Sequence, residues 1–164
     1  AAPGGWSYSA LKRGEIVTAV DNGPLRNPVK AHPNICHLEE DALKYKHDDS
    51  KPDSIFPKFD SKEIETSQIP LNRAFRKSGA VDWLLCDILE KPDIVLNLLH
   101  KWLSQKWCRY FIVNFKVGRS DPIVLLREIR NTQSGLLPYC KRLYIRQLYH
   151  DREEITLMGE ARNK

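Results

Sequence analysis

Ala80-Val-Asp-Trp-Leu-Leu-Cys86-Asp87, then Pro92-Asp-Ile-Val-Leu-Asn-Leu-Leu-His-Lys-Trp-Leu103, then Arg109-Tyr-Phe-Ile-Val-Asn-Phe-Lys116, is the stretch that decides the fold. The first segment is a short apolar run closed by an acid and reads as a buried strand. In the second, Pro92 opens a helix in which Ile94, Val95, Leu98, Leu99, Trp102 and Leu103 recur at helical spacing, ending near Lys106. The third is another buried strand, with Lys116 at its C-terminal end. Strand, helix, strand in this order is the unit of a parallel sheet.

The pattern extends in both directions. Asp121-Pro122 reads as an N-cap and first-turn proline, and Val124, Leu125, Leu126 and Ile129 give the following helix its apolar side. Leu143 to Leu148 and Glu154 to Met158 read as a closing pair of strands with no helix between them, which predicts an antiparallel edge. Upstream, Pro3-Gly4-Gly5 is a glycine turn, Ser7 to Arg13 a short helix, and Glu15 to Val20 a β-branched strand running into the turn Asp21-Asn22-Gly23-Pro24. Asn34 to Leu38 is a further short strand that leads into Glu39-Glu40-Asp41. Lys44 to Ser78 carries no persistent apolar period and reads as a polar insert or flexible loop. The expected fold class is α/β, a Rossmann-like arrangement with a mostly parallel sheet, an antiparallel edge strand and helices on both faces.

A chain of 164 residues with 41% hydrophobic content fits one domain with one core. A net charge of +5 and a pI near 9.0 suit a polyanionic partner without requiring one. Cys36, Cys86, Cys108 and Cys140 lie far apart with no Cys-x-x-Cys pair, and read as free thiols in a reducing, cytoplasmic setting. No stretch reaches the length of a membrane span, and no signal peptide is visible. The glycine turn has no strand before it, so the N-terminus is expected to be truncated.

In an open parallel sheet the ligand site lies beyond the C-terminal strand ends, where Asp21, Asp41, Asp87 and Lys116 all fall. Pro3-Gly4-Gly5 either lets a backbone approach a ligand closely or is a plain turn. Asp21 either accepts hydrogen bonds from a ribose or faces solvent, and Asp41 poses the same choice with an adenine amino group. Asp87 and Lys116 each close an apolar strand and can reach each other, as a reactive pair or as a structural ion pair. No cluster of Cys or His suggests a metal.

Ala-x-Pro-Gly-Gly-Trp-Ser at 1–7, Val-Asp-Asn-Gly-Pro at 20–24, Glu-Asp at 40–41, Val-Asp-Trp-Leu-Leu-Cys-Asp-Ile-Leu-Glu-Lys-Pro at 81–92, Asn-Phe-Lys at 114–116 and Arg-Gln-Leu-Tyr-His-Asp-Arg-Glu-Glu at 146–154 occur in one order. Together they resemble the FtsJ-like ribose 2′-O-methyltransferases, and within that family the type acting on large-subunit ribosomal RNA. The likeness covers nearly the whole chain apart from 44–78, and implies one S-adenosylmethionine-dependent methyltransferase domain over 1–164 with RNA as its partner. It implies that Pro3, Gly4, Gly5 and Trp6 line the pocket of the methionine moiety, that Asp21 holds the ribose and Asp41 the adenine, and that Asp87 borders the cofactor.

The family's Lys-Asp-Lys-Glu tetrad maps its Asp onto Asp87, its second Lys onto Lys116 and its Glu onto Glu153, with Glu154 the neighbouring choice. Lys116 would then be a base of lowered pKa, oriented by Asp87, with Glu153 positioning the hydroxyl or the lysine. The tetrad's first lysine and the strand with the acid near the methionine moiety lie upstream of the glycine loop, and this sequence begins after both. Arg119, Arg127, Arg130, Lys141, Arg142 and Arg146 are candidate phosphate contacts, and Tyr144 and Tyr149 candidate stacking surfaces. Two other readings stand beside this one: an RNA-binding module that keeps the fold without turnover, and a nicotinamide-dependent oxidoreductase. The second requires a Gly-x-Gly-x-x-Gly fingerprint, of which only Gly4-Gly5 is present.

Overall fold

The computed structural model describes residues 4–47, 79–118, 120–148 and 153–162. These fall into two compact units, Ala2–Gly79 and Ala80–Lys164. The polar stretch expected over 44–78 lies outside the described residues from 48 onward, as do Pro3, Arg119 and Tyr149.

In the first unit helix α1 (Gly5–Leu11) precedes strand β1 (Val17–Val20), which pairs in parallel with β2 (Ile35–Leu38). α1 packs on β1 after a connection short enough to reverse the chain, so the start of the helix lies toward the C-terminal end of the strand. Gly4 agrees with this placement, since a Cβ there would press on the Val29 side chain in the turn beyond β1 at 3.3 Å. Leu11, Ala19, Leu25 and Val29 are buried.

The second unit holds β3 (Val81–Cys86), α2 (Pro92–Ser104), β4 (Cys108–Lys116), α3 (Pro122–Arg130), β5 (Cys140–Arg146) and β6 (Glu154–Ala161). The reading of 80–116 as strand, helix, strand is met within a residue or two, and Asp121 caps α3 by accepting from the Ile123 N–H at 2.8 Å. On α3 only Leu125 and Ile129 are buried, while Val124 is half exposed. β5 begins three residues before the position expected from its apolar run, because Cys140 pairs with Ala161 across a bulge.

The four strands lie in the order β3-β4-β6-β5, with β3 and β4 parallel and β6 antiparallel to both of its neighbours. The closing pair is antiparallel and lies at the edge of the sheet as expected, with β5 outermost and the reversed strand β6 second from the edge. A strand that follows its neighbour without a crossover can still be inserted, because β6 inside the sheet satisfies the ladder groups of two strands.

Within this unit the two helices share one face of the sheet. Both crossovers, β3 to β4 through α2 and β4 to β5 through α3, advance the sheet in the same direction. Right-handed connections therefore put both helices on one face, and α2 and α3 touch. Phe111, Val113, Phe115 and Leu157, on one face of the sheet, are buried, as are Val95 and Leu99 of α2 and Ile129 of α3. The opposite face carries Trp83, stacked on Tyr110 with ring centroids 4.8 Å apart, together with Leu85 and Tyr144.

The cysteines are free. Burial pushes Cys86 and Cys140 up to about 11 and Cys108 to about 12, so these thiols are inert packing groups.

Candidate active site

Three charged side chains meet at one end of the second unit's sheet. β3 ends at Cys86 and delivers Asp87, while the last residue of β4 is Lys116. β6, running the other way, starts beside it at Glu154, its cross-strand partner. Lys116 Nζ donates to Asp87 Oδ1 at 2.7 Å and makes a short hydrogen bond to Glu154 Oε1.

The three groups are about a quarter to a third exposed, the lysine at 26%, Asp87 at 37% and Glu154 at 22%. Lys116 and Glu154 open on a cleft of about 730 Å³ whose walls come from the turn Leu89–Pro92, from Val117, Gly118 and Ser120, and from Glu153. Leu89, 86% exposed, stands at its rim. Nothing in its flanking sequence marks it, since an exposed leucine is ordinary until its surroundings are known.

Of the residues expected in the tetrad, Asp87 and Lys116 are brought together, and the glutamate in contact with Lys116 is Glu154, the neighbouring choice. Glu153 contributes its backbone carbonyl, which accepts from Val117 N at 2.8 Å and Gly118 N at 3.4 Å, and its side chain is exposed. Side chains alternate along a strand, so a one-residue register difference puts Glu154 on the face of Lys116.

The electrostatics differ from expectation as well. Burial lowers the Lys116 pKa, but hydrogen bonds from Lys116 to Asp87 and Glu154 and the charge of both carboxylates outweigh it, and the net direction is upward. The lowered pKa expected for Lys116 is corrected: two anions around one cation hold its proton in place.

Behind this cluster lies a pair that the sequence reading passed over. Asn114 and Thr156, cross-strand partners on β4 and β6, are buried, at 7% and 3% exposure. Thr156 Oγ1 donates to Asn114 Oδ1 at 2.8 Å, and Asn114 Nδ2 faces Asp87 Oδ1 at 3.5 Å. The visible signal was an amide in an otherwise apolar strand, where a polar group needs a partner.

Among the residues expected around a cofactor, Gly4, Gly5, Trp6, Asp21 and Asp41 belong to the first unit, and the two acids follow the C-terminal ends of its strands. Gly4 takes φ 116, a left-handed conformation that a side chain would strain, and a Cβ on Gly5 would meet nothing within 4 Å. Trp6 follows on α1, half-buried. Asp21 stands at the end of β1, where its N–H donates to Leu38 O at 3.1 Å and its carboxylate accepts from Gly23 N at 2.8 Å. Asp41 lies beyond β2, accepting from Leu43 N at 2.9 Å and pairing with Lys44 at 3.6 Å. Asp87, assigned to both the cofactor and the catalytic set, has Lys116 and Asn114 as its observed partners.

Among the candidate phosphate contacts, Lys141 and Arg142 pair with Glu160 at 3.1 and 3.9 Å, and Arg127 and Arg130 are exposed on the last turn of α3. Among the described residues no group of three or more His, Cys, Asp or Glu is arranged to hold a metal, and no helix is long and apolar enough to cross a membrane.

No family model matches the chain. Several curated proteins do match it over almost all of its length. Ribosomal RNA large subunit methyltransferase M of Halorhodospira halophila is 32% identical over 157 residues, 96% of this chain and 37% of the relative. The protein of the same name from Thauera aminoaromatica is 34% identical over 160 residues, covering 95% of this chain and 35% of the relative. That from Psychromonas ingrahamii is 34% identical over 164 residues, with 96% and 36% covered. The chain thus spans little more than a third of the length of the relatives it matches. Over nearly its whole length, this chain is a homologue of a segment of the ribosomal RNA large subunit methyltransferase M proteins.

Proposed function

We propose that this chain is part of an S-adenosylmethionine-dependent methyltransferase domain that modifies a ribose 2′-hydroxyl of large-subunit ribosomal RNA. The observation that carries the reading is the Asp87–Lys116–Glu154 cluster at the strand ends, in a chain whose relatives are named for methylating that RNA. A methyl donor of this class supplies a methyl group already activated by a sulfonium.

The first unit's donor set suits an adenosine. Gly5 leaves open space beside the backbone, and the Asp21 and Asp41 carboxylates sit at the ends of adjacent strands. Asp21 would accept from the ribose hydroxyls and Asp41 from the adenine amino group. Pro3, Gly4, Gly5 and Trp6 would border the methionine moiety, and Asp87 is proposed to face it as well.

Two of the three N–H donors of Lys116 are engaged by carboxylates, which leaves one for a substrate oxygen. The ammonium would hold the ribose hydroxyl in line with the methyl group. As the new carbon–oxygen bond forms, the oxygen becomes strongly acidic, so a carboxylate suffices to take its proton. Glu154 is the group we assign to that step, with Asp87 fixing the lysine between them.

The test has two arms. Calorimetry with S-adenosylmethionine is expected to give saturable binding that is lost in Asp21→Ala and absent with NAD. Transfer of labelled methyl to ribosomal RNA is expected for the unaltered chain and not for Lys116→Met. Donor binding without transfer would favour an RNA-binding module that keeps the fold, and binding of NAD in place of the donor would sink the reading.

A further inference from the structure

Asp87 is the most exposed member of the charged cluster, and a carboxylate at 37% exposure has rotamers to explore. Its contacts come from two sides: Lys116 Nζ at 2.7 Å and, from the interior, the Asn114 amide at 3.5 Å. A carboxylate only accepts, so the amide must turn its N–H₂ toward Asp87 and its oxygen away. The oxygen then needs a donor of its own, and the Thr156 hydroxyl supplies it at 2.8 Å. All the donors point one way, Thr156 to Asn114 to Asp87, with Lys116 closing the series from the other end.

We propose that Asn114, oriented by the Thr156 hydroxyl, is a positioning residue that fixes the Asp87 carboxylate and thereby the placement of the Lys116 ammonium. The device depends on the β4–β6 register, in which Asn114 opposes Thr156 and, two residues on and on the same face, Lys116 opposes Glu154. Burying an amide within β4 is costly unless its polar atoms find partners. The relay satisfies both ends of it. As a positioning role this rests on the methyl-transfer reading, while its electrostatic half can be read without turnover.

The experiment compares Thr156→Val, which keeps shape and removes the hydroxyl, with Thr156→Ser, which keeps the hydroxyl; Asn114→Leu is a harsher companion. NMR titration of the Lys116 side chain in the 164-residue chain reports on the ion pair directly. Thr156→Val is expected to lower the Lys116 pKa, because an unfixed Asp87 holds the ammonium less well, and Thr156→Ser to restore it. For methyl transfer, Thr156→Val is expected to reduce kcat about tenfold, the effect of one ordinary hydrogen bond, with KM for RNA unchanged.

An unchanged titration in folded Thr156→Val, or a Thr156→Ser variant that fails to restore it, overturns the relay. If the titration moves as expected while the unaltered chain transfers no methyl group, the relay stands and the methyl-transfer reading falls. If transfer occurs and the titration does not move, the reverse holds.

Discussion

A single ammonium between two carboxylates governs the site. Because Lys116 contacts Glu154 and not the Glu153 side chain, the two adjacent glutamates are expected to behave differently. Glu154→Gln should lower kcat for methyl transfer by at least about 100-fold, the low end of what a positioned proton acceptor contributes, whereas Glu153→Gln should stay within about twofold, as expected when no positioned proton acceptor is removed. Equal losses in single-turnover assays would place the proton elsewhere.

The raised Lys116 pKa sets a second expectation. A group whose folded-state pKa exceeds its unfolded value adds stability that is complete below the unfolded value and is lost as pH rises through the folded one. Stability from this cluster should therefore hold through neutral pH and fall at the alkaline end, above the ordinary lysine range. Lys116→Met should flatten that limb of the denaturation profile. A variant as alkali-sensitive as the unaltered chain would show that Lys116 is not the titrating group.

At the level of elements, the register between β4 and β6 decides which groups meet. Phe111 opposes Gly159, and a Cβ at Gly159 would run into the Phe111 ring and the Arg142 carbonyl oxygen at 2.6 Å. The absence of a side chain lets the aromatic ring lie over the neighbouring strand and fill the core. Gly159→Ala is expected to destabilise the fold by about 1–3 kcal/mol, the usual range for overpacking, and denaturant unfolding would measure it. Because the same ladder carries Asn114–Thr156 and Lys116–Glu154, this variant should also reduce methyl transfer in the folded state. Full activity at unchanged stability would mean that the ring has another place to go.

For the molecule as a whole, charge and site are separable. The chain carries a net +5, yet its candidate active site holds one lysine against two carboxylates and offers no net positive charge to a phosphate. On the proposed reading, affinity for RNA would come from basic groups elsewhere, among which Arg127 and Arg130 are exposed. Lys116→Met is therefore expected to abolish transfer while leaving RNA affinity and its dependence on salt within about twofold, since counterion release tracks phosphate contacts only. A steeply altered salt slope in a filter-binding titration would put Lys116 on the backbone of the RNA.

The alternation of strands and helices from Ala80 to Arg130, the capping by Asp121 and the charged residues at strand ends were legible in the sequence. Apolar period, N-cap chemistry and strand termini are written in neighbouring residues. The insertion of β6 between β4 and β5, the shared face of α2 and α3, the contact of Lys116 with Glu154 rather than Glu153, and the upward shift of Lys116 were decided only by tertiary structure. Each depends on which distant strand lies alongside and in what register, and on charges 29 and 38 residues apart in sequence that folding brings into contact.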